Sequence, residues 1–280
     1  MMIATSSRPK RGSGLLQLIR DHGPVSIDIL QRMAQPQMSK KNIRKSLGIL
    51  RQKNLIELLN LNSQTTYYQI AQSEISRKQV AEILQCRADE ITRPLLRKQD
   101  WLHNQWSEYW IFLIKRLIPE AEIVRERTIG CNEIAKRILR LKERDFDLMP
   151  DFLLMLPKEA SCEPTYIAFE IERTRKSNER IMRKFKKYME GTKIDGLIYI
   201  CDSGRLSETI RMLYQSKLVT QSKRIKHYAD HFFLFSDSMD GGGLNLNRLF
   251  NAKAESVSFV DWCVQLRTTK WTLRRDTQFK

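Results

Sequence analysis

Clustered cysteine and histidine are the first things missing. The five cysteines (Cys86, Cys131, Cys162, Cys201 and Cys263) are scattered, with no C-x-x-C pair. That excludes a zinc-finger pattern and a disulfide framework, and fits a reducing compartment. Of the four histidines, His22, His103, His227 and His231, only the last two stand at i,i+4, and no third ligand lies beside them. Packing or surface roles suit them better than a metal site. There is no H-x-H or H-x-H-x3-H, so a histidine-held metal on a strand is excluded as a local motif. Long apolar runs are absent too. The longest candidate, 106–118, is broken by Glu108 and Lys115 and reads as a buried helix, whereas a bilayer takes roughly 20 apolar residues. The first fourteen residues have no signal-peptide core, so a cytoplasmic protein without membrane insertion is expected. Gly241-Gly242-Gly243 lacks the Lys-Ser/Thr of a phosphate-cradling loop, and no internal repeat is present.

What is plentiful is positive charge. Forty-nine Lys and Arg face 32 acidic residues, a net charge of +17. A chain this basic usually meets a polyanion, because neutralising phosphates releases condensed counterions. Membrane-surface binding is the weaker alternative, since no long basic amphipathic segment stands apart from the globular pattern. A length of 280 residues allows two domains, or one with a substantial extension.

Residues 1–13 read as a polar, basic arm, and 14–72 as a small domain. Leu15, Leu16, Leu18 and Ile19 predict a helix stopped at His22-Gly23-Pro24. Ser26 is placed to cap a second helix carrying Ile27, Ile29, Leu30 and Met33. After a turn at Gln35-Pro36-Gln37, Ser39 caps a third, with Ile43, Leu47 and Leu50 at i, i+4, i+7. The rest of that helix carries Lys40, Lys41, Arg44, Lys45 and Arg51. Strand-like runs 55–59 and 65–70 follow, joined by a hairpin loop over Asn60–Gln64. Three helices and a hairpin resemble a winged helix-turn-helix. In that family the third helix enters the major groove and the wing touches backbone, which makes those five basic residues the DNA-binding candidates. The alternatives are a merely solvated charge face and a winged helix that contacts protein.

Residues 73–99 read as a charged helical connector, with a break near Pro94. Asp100–Ile118 predicts one long helix with Trp106, Trp110, Leu113 and Leu117 on one apolar side. Strands are expected at 122–127, 152–156, 166–172, 197–201 and 232–235, with helices at 178–190 and 208–218. The tail from Val257, with Trp262 and Trp271, adds a further candidate strand. Helix, three strands, helix, strand is a mixed α/β (α+β) order with a crossover between the third and fourth strands, here assigned to a domain over 100–280.

Two acidic clusters stand at strand ends: Pro150-Asp151, and Glu170-Ile171-Glu172. Alternation puts Glu170 and Glu172 on one face. Asp151 on a neighbouring antiparallel strand would complete a hard-oxygen site suited to Mg²⁺ or Mn²⁺. A solvated charge network with the neighbouring Arg and Lys is the other reading. The order and spacing resemble the PD-(D/E)xK, or restriction-endonuclease-like, superfamily with its αβββαβ core. The resemblance implies Asp151 and Glu170 as metal ligands, with Glu172 standing where the motif has lysine. Some members carry that lysine on the following helix, so Lys184 is the preferred substitute and Lys187 the alternative.

The stretch Phe169–Thr174, the basic helix ending Lys184-Phe185-Lys186-Lys187-Tyr188, and Leu102-His103-Asn104 resemble the replication-relaxation group. Within it, the chain is most similar to MobC-type plasmid mobilisation relaxases. The resemblance implies a metal-dependent DNA endonuclease that nicks a plasmid transfer origin for conjugation. Double-stranded DNA, an accessory mobilisation protein and a coupling protein would be its partners. In this reading Asp151, Glu170, Glu172 and Lys184 are catalytic. Tyr188 is the first tyrosine to test for covalent attachment, unless it packs against the sheet. The rivals are a non-catalytic winged-helix DNA-binding protein (a replication accessory or a repressor) and a defence or transposition nuclease.

Overall fold

The computed structural model describes residues 12–34, 37–62, 65–91, 101–141, 149–157, 164–219 and 232–267. Most of the expected basic arm, the turn at Gln35-Pro36, Pro94, Cys162, His227, His231 and Trp271 lie outside the described residues. The chain is a mixture of helix and strand in two compact units, Met1–Tyr109 and Trp110–Lys280. Among the described residues no helix is long and apolar enough to cross a membrane.

The first unit runs α1 (Ser13–His22), β1 (Val25–Ser26), α2 (Ile27–Met33), α3 (Lys40–Gln52), β2 (Ile56–Asn62), β3 (Thr65–Ile70) and α4 (Glu74–Leu84). Gly23, at φ 69°, ends α1 in a conformation that favours glycine. Three serines start the helices that follow. Ser26, Ser39 and Ser73 accept hydrogen bonds from the amides of Ile29, Asn42 and Ser76, each satisfying a donor the helix itself leaves unpaired. The apolar faces close on Leu16, Leu30, Ile43, Leu47 and Tyr67, all buried. The strands form an antiparallel sheet in the order β1-β3-β2. β1 was not expected. The hairpin is also longer than expected: Asn60–Asn62 continue β2 through a bulge. Across the pair, Thr66 Oγ1 donates to Asn60 Oδ1 at 3.3 Å. The expected connector is in part α4, which packs on α1 and β3 within this unit. His22 is buried, with Nδ1 3.1 Å from Glu108 Oε2.

The boundary between the units falls inside α5 (Trp101–Leu117). The expected one-sided stripe is incomplete. Trp110 and Leu113 are buried, but Trp106 and Leu117 are only half so, while Tyr109, Ile111 and Ile114 are buried as well. Such a helix is covered around most of its circumference, and a single stripe underestimates that.

The second unit continues with β4 (Glu122–Arg125), α6 (Glu126–Ile129), α7 (Glu133–Leu139), β5 (Phe152–Leu156), β6 (Thr165–Glu172), α8 (Asn178–Lys186), β7 (Gly196–Cys201), α9 (Gly204–Val219), β8 (Phe233–Ser236) and β9 (Leu249–Asn251). They form one six-stranded mixed sheet in sequence order. β4, β5 and β6 are antiparallel; β6, β7 and β8 are parallel; β9 returns antiparallel. α8 and α9 make the two crossovers that parallel pairing requires. One face of the sheet packs Ala168, Tyr199 and Phe235 beneath Phe185, Tyr188 and Tyr214. On the other, Phe152 stacks on Phe169 at 4.3 Å, with Trp110 and Phe259 beside them.

Three features depart from expectation. α6 takes over the last two residues of the strand expected at 122–127, and α7 occupies a stretch left unassigned. β9 adds an edge. The tail from Val257 is helical over 259–267 where a strand was expected. Phe259, Trp262, Cys263 and Leu266 are buried at i, i+3, i+4 and i+7, a helical period. The Gly241–Gly243 turn is ordered by its own geometry. Gly241 has φ 57°, and a Cβ there would lie 2.6 Å from the Trp110 ring.

Candidate nucleic-acid interface and carboxylate site

On α3 the apolar residues Ile43, Leu47 and Leu50 turn inward, and the intervening positions face solvent. Lys41, Arg44, Lys45 and Arg51 are exposed. Lys40 is exposed as well, but it pairs with Asp28 of α2 at 2.5 Å. A solvated pair of this kind is worth at most about 1 kcal/mol, so a phosphate could replace Asp28. Tyr68 of β3 lies among these cations. Partial burial raises its phenol, while Arg44 and Arg51 pull it down. The neighbourhood depends on the hairpin, whose β2 packs on α3, which residue spacing did not reveal.

The second constellation is built on β6. Register sets its anchor: Phe152 pairs with Phe169, so Asp151, just before β5 begins, reaches the C-terminal half of β6. The Asp151 amide donates to Phe169 O at 2.9 Å, and Ile171 N donates to Asp151 Oδ2 at 2.5 Å. Asp151 therefore clasps the two residues that flank Glu170. Glu170 itself is 3% exposed. Lys184 Nζ of α8 donates to Glu170 Oε2 at 2.5 Å, and Tyr188 OH, from the π-helical turn that continues α8, donates to Oε1. Lys184 and Tyr188 are four residues apart and thus share one helical face. Glu172 lies further along β6 and pairs with Lys176 at 3.4 Å.

Electrostatics tie these groups together. Burial raises the Glu170 carboxyl to about 7; Lys184 pulls against that, and Asp151 adds to it. Burial opposes the charge on Lys184, but Glu170, Asp151 and Glu172 outweigh it and raise the ammonium's pKa. Glu172 is raised by burial, with Lys176 and Lys184 opposing. Tyr188 is completely buried, and burial followed by the Glu170 charge pushes its phenol well above 10.

Asp151, Glu170 and Lys184 are thus brought together, with Glu172 at the margin of the cluster. Lys187, the alternative lysine, is half-buried and begins a short π-helical turn over Lys187–Gly191. It is Lys184 that meets the carboxylates. Tyr188 packs against the sheet and bonds Glu170 at once. Two neighbours escaped the sequence reading. Lys176 was detectable as the i+4 partner of Glu172. Tyr199, paired in register with Glu170, was not, because a parallel register across a crossover leaves no local signal. Its hydroxyl is buried with no hydrogen-bond partner among the described residues.

The donor set suits a hard divalent cation in kind, since Asp151, Glu170 and Glu172 offer only oxygen. Among the described residues no group of three or more His, Cys, Asp or Glu is arranged to hold a metal. Lys184 and Tyr188 engage both oxygens of Glu170. A metal at Glu170 would therefore require the ammonium to shift. Comparison with family models, with curated proteins and with solved structures found no match to this chain.

Proposed function

We propose that the protein is a metal-dependent DNA-nicking relaxase that acts at a plasmid transfer origin. The observation that carries this reading is Lys184, delivered from the helix after β6 to Glu170 beside Asp151. The first unit supports a winged helix: helices and strands alternate as α1-β1-α2-α3-β2-β3, with strand order β1-β3-β2. The second supports a PD-(D/E)xK nuclease core in the succession α5, β4, β5, β6, α8, β7, where three antiparallel strands meet a parallel fourth.

In this reading α3 sits in the major groove. Lys41, Arg44, Lys45 and Arg51 meet phosphates and bases, and Lys40 joins them on leaving Asp28. Asp151 and Glu170 would hold Mg²⁺ or Mn²⁺. When bound, the ion supplies Lewis-acid stabilisation of the phosphodiester under attack. Lys184, freed from Glu170, stabilises negative charge on the phosphate oxygens, and Glu172 with Lys176 keeps the neighbouring charge balanced. An accessory mobilisation protein and a coupling protein are the partners this activity calls for.

The test is nicking of a supercoiled plasmid that carries the cognate origin, with Mg²⁺ or Mn²⁺ present. The wild type should convert it to open circles, and an Asp151→Ala, Glu170→Ala double variant should not. Equal nicking by the two would refute the site. The full engagement of Glu170 by Lys184 and Tyr188 favours a second reading, a non-catalytic DNA-binding protein. Calorimetric titration with Mn²⁺ separates them: the nuclease reading expects binding that the double variant loses, and the other expects none.

A further inference from the structure

Helix α8 and its lead-in, residues 173–187, hold Arg173, Arg175, Lys176, Arg180, Arg183, Lys184, Lys186 and Lys187 against one acid, Glu179. The fold divides these cations into two sets. Lys176 and Lys184 turn to Glu172 and Glu170, while Arg180, Arg183 and Lys186 stand exposed. Among the described residues none of those three makes an ion pair. They recur every third residue, so they cover about 9 Å of helix at about 1.5 Å per residue. Measured along the duplex axis, where the phosphates of one strand rise about 3.4 Å per nucleotide, that length spans two or three successive phosphates. Ile181 and Phe185, on the opposite side, are buried against the sheet, which fixes the outward direction of the stripe.

We propose that the outer face of α8 is a second DNA-contact surface, one that holds the sugar-phosphate backbone of the strand next to the Glu170–Lys184 cluster. The inference rests on the DNA-directed reading above, but it requires neither metal nor cleavage. The shared chemistry is a run of phosphodiesters, which a duplex or a single strand can present. Burial explains why the stripe is outward, and the inward pairing of Lys184 explains why its charge is not consumed by the site. Two surfaces on one chain also raise the effective concentration of DNA at the second once the first is engaged.

The experiment is equilibrium binding of the full chain, without divalent metal, to a labelled 30-base-pair duplex and a labelled 30-nucleotide strand over a salt series. An Arg180→Gln, Arg183→Gln, Lys186→Gln variant should bind at least one of the two about tenfold more weakly. Its salt slope should be shallower by about 2 to 3, the value for three lost phosphate contacts. The arm that responds identifies the form of DNA held. A control variant, Arg137→Gln, Lys193→Gln, Lys253→Gln, removes three exposed cations from other elements and should change the slope by less than about 1. The proposal is overturned if the α8 variant keeps the wild-type slope in both arms, or if the control loses as much. A thermal melt verifies that the variants are folded. Arg44→Gln, Lys45→Gln is measured in parallel. Loss there with none at α8 removes this proposal and leaves the recognition helix standing; loss at neither removes both.

Discussion

Helices α3 and α8 begin alike and end in different surroundings. Each opens with a serine whose hydroxyl accepts from the amide three residues on, Ser39 from Asn42 and Ser177 from Arg180, both at 3.3 Å. Each carries a dense set of cations over an apolar face. On α3 the cations named as DNA contacts all face water, whereas α8 turns Lys184 inward to a buried carboxylate. Counting Lys and Arg along a helix does not tell these cases apart. What does is the neighbour: β6 places Glu170 under α8, whereas the apolar side of α3 packs on α1, α2 and β2 of its own unit. The charge of α3 is thus available to a partner at little structural cost, while part of the charge of α8 belongs to the core.

Stability measurements would sharpen or break that contrast. The largest effect is expected from Lys184→Met, which leaves Glu170 buried without its cation and should cost about 3 kcal/mol in urea unfolding. A loss under about 0.5 kcal/mol, the scale of a surface substitution, would mean that Lys184 is as free as the α3 cations. Tyr188→Phe removes the donor to Glu170 Oε1 and should cost about 2 kcal/mol by the same measurement. Glu170→Gln bears on pH. Because folding raises this carboxyl from about 4.5 to about 7, its stabilising contribution is complete below about 4.5. It fades as pH climbs through about 7. Melting temperatures of the Gln variant relative to wild type should therefore rise between pH 5 and pH 8, by on the order of a few degrees; a flat difference would refute the shift.

The two caps test the likeness rather than the contrast. Ser39→Ala and Ser177→Ala should each cost about 1 kcal/mol, and a large inequality would show that the helices do not start on equal terms. The smallest change belongs to Lys41→Gln and Arg44→Gln. Stability should move by less than about 0.5 kcal/mol, while DNA affinity, read by anisotropy, should fall.

Legibility follows the same division. The instructions for α3 are local: a cap, an apolar i, i+4, i+7 series, and basic residues between. The helix therefore has the face and the start that its sequence predicts. β5 likewise occupies 152–156 as expected, since five apolar residues between breaks admit little else. Helix 259–267 misled because Phe259 and Trp262 suit a strand as well as a buried helix face, and only packing decides. Asn132 accepts from Ala135 N at 2.9 Å and opens α7, a cap signal present in the sequence and overlooked. In the carboxylate site, Glu170 and Glu172 share a face by alternation alone. The clasp of Asp151 around Glu170 depends on the β5–β6 register, and the nearness of Tyr199 on the β6–β7 register. Neither register is encoded within a single strand.

The margins of the six-stranded sheet have a consequence for self-association. Its outer strands are β4, four residues long with Glu122 and Arg125 at its ends, and β9, only three. β9 is further closed by a bridge from Phe250 to Ser256. Open backbone along a sheet margin is a template on which another chain can add. Here a second molecule would gain only a few ladder positions at either side, fewer than the eight-residue β6 offers inside the sheet. At high local concentrations, short margins of this kind guard against fibrous growth.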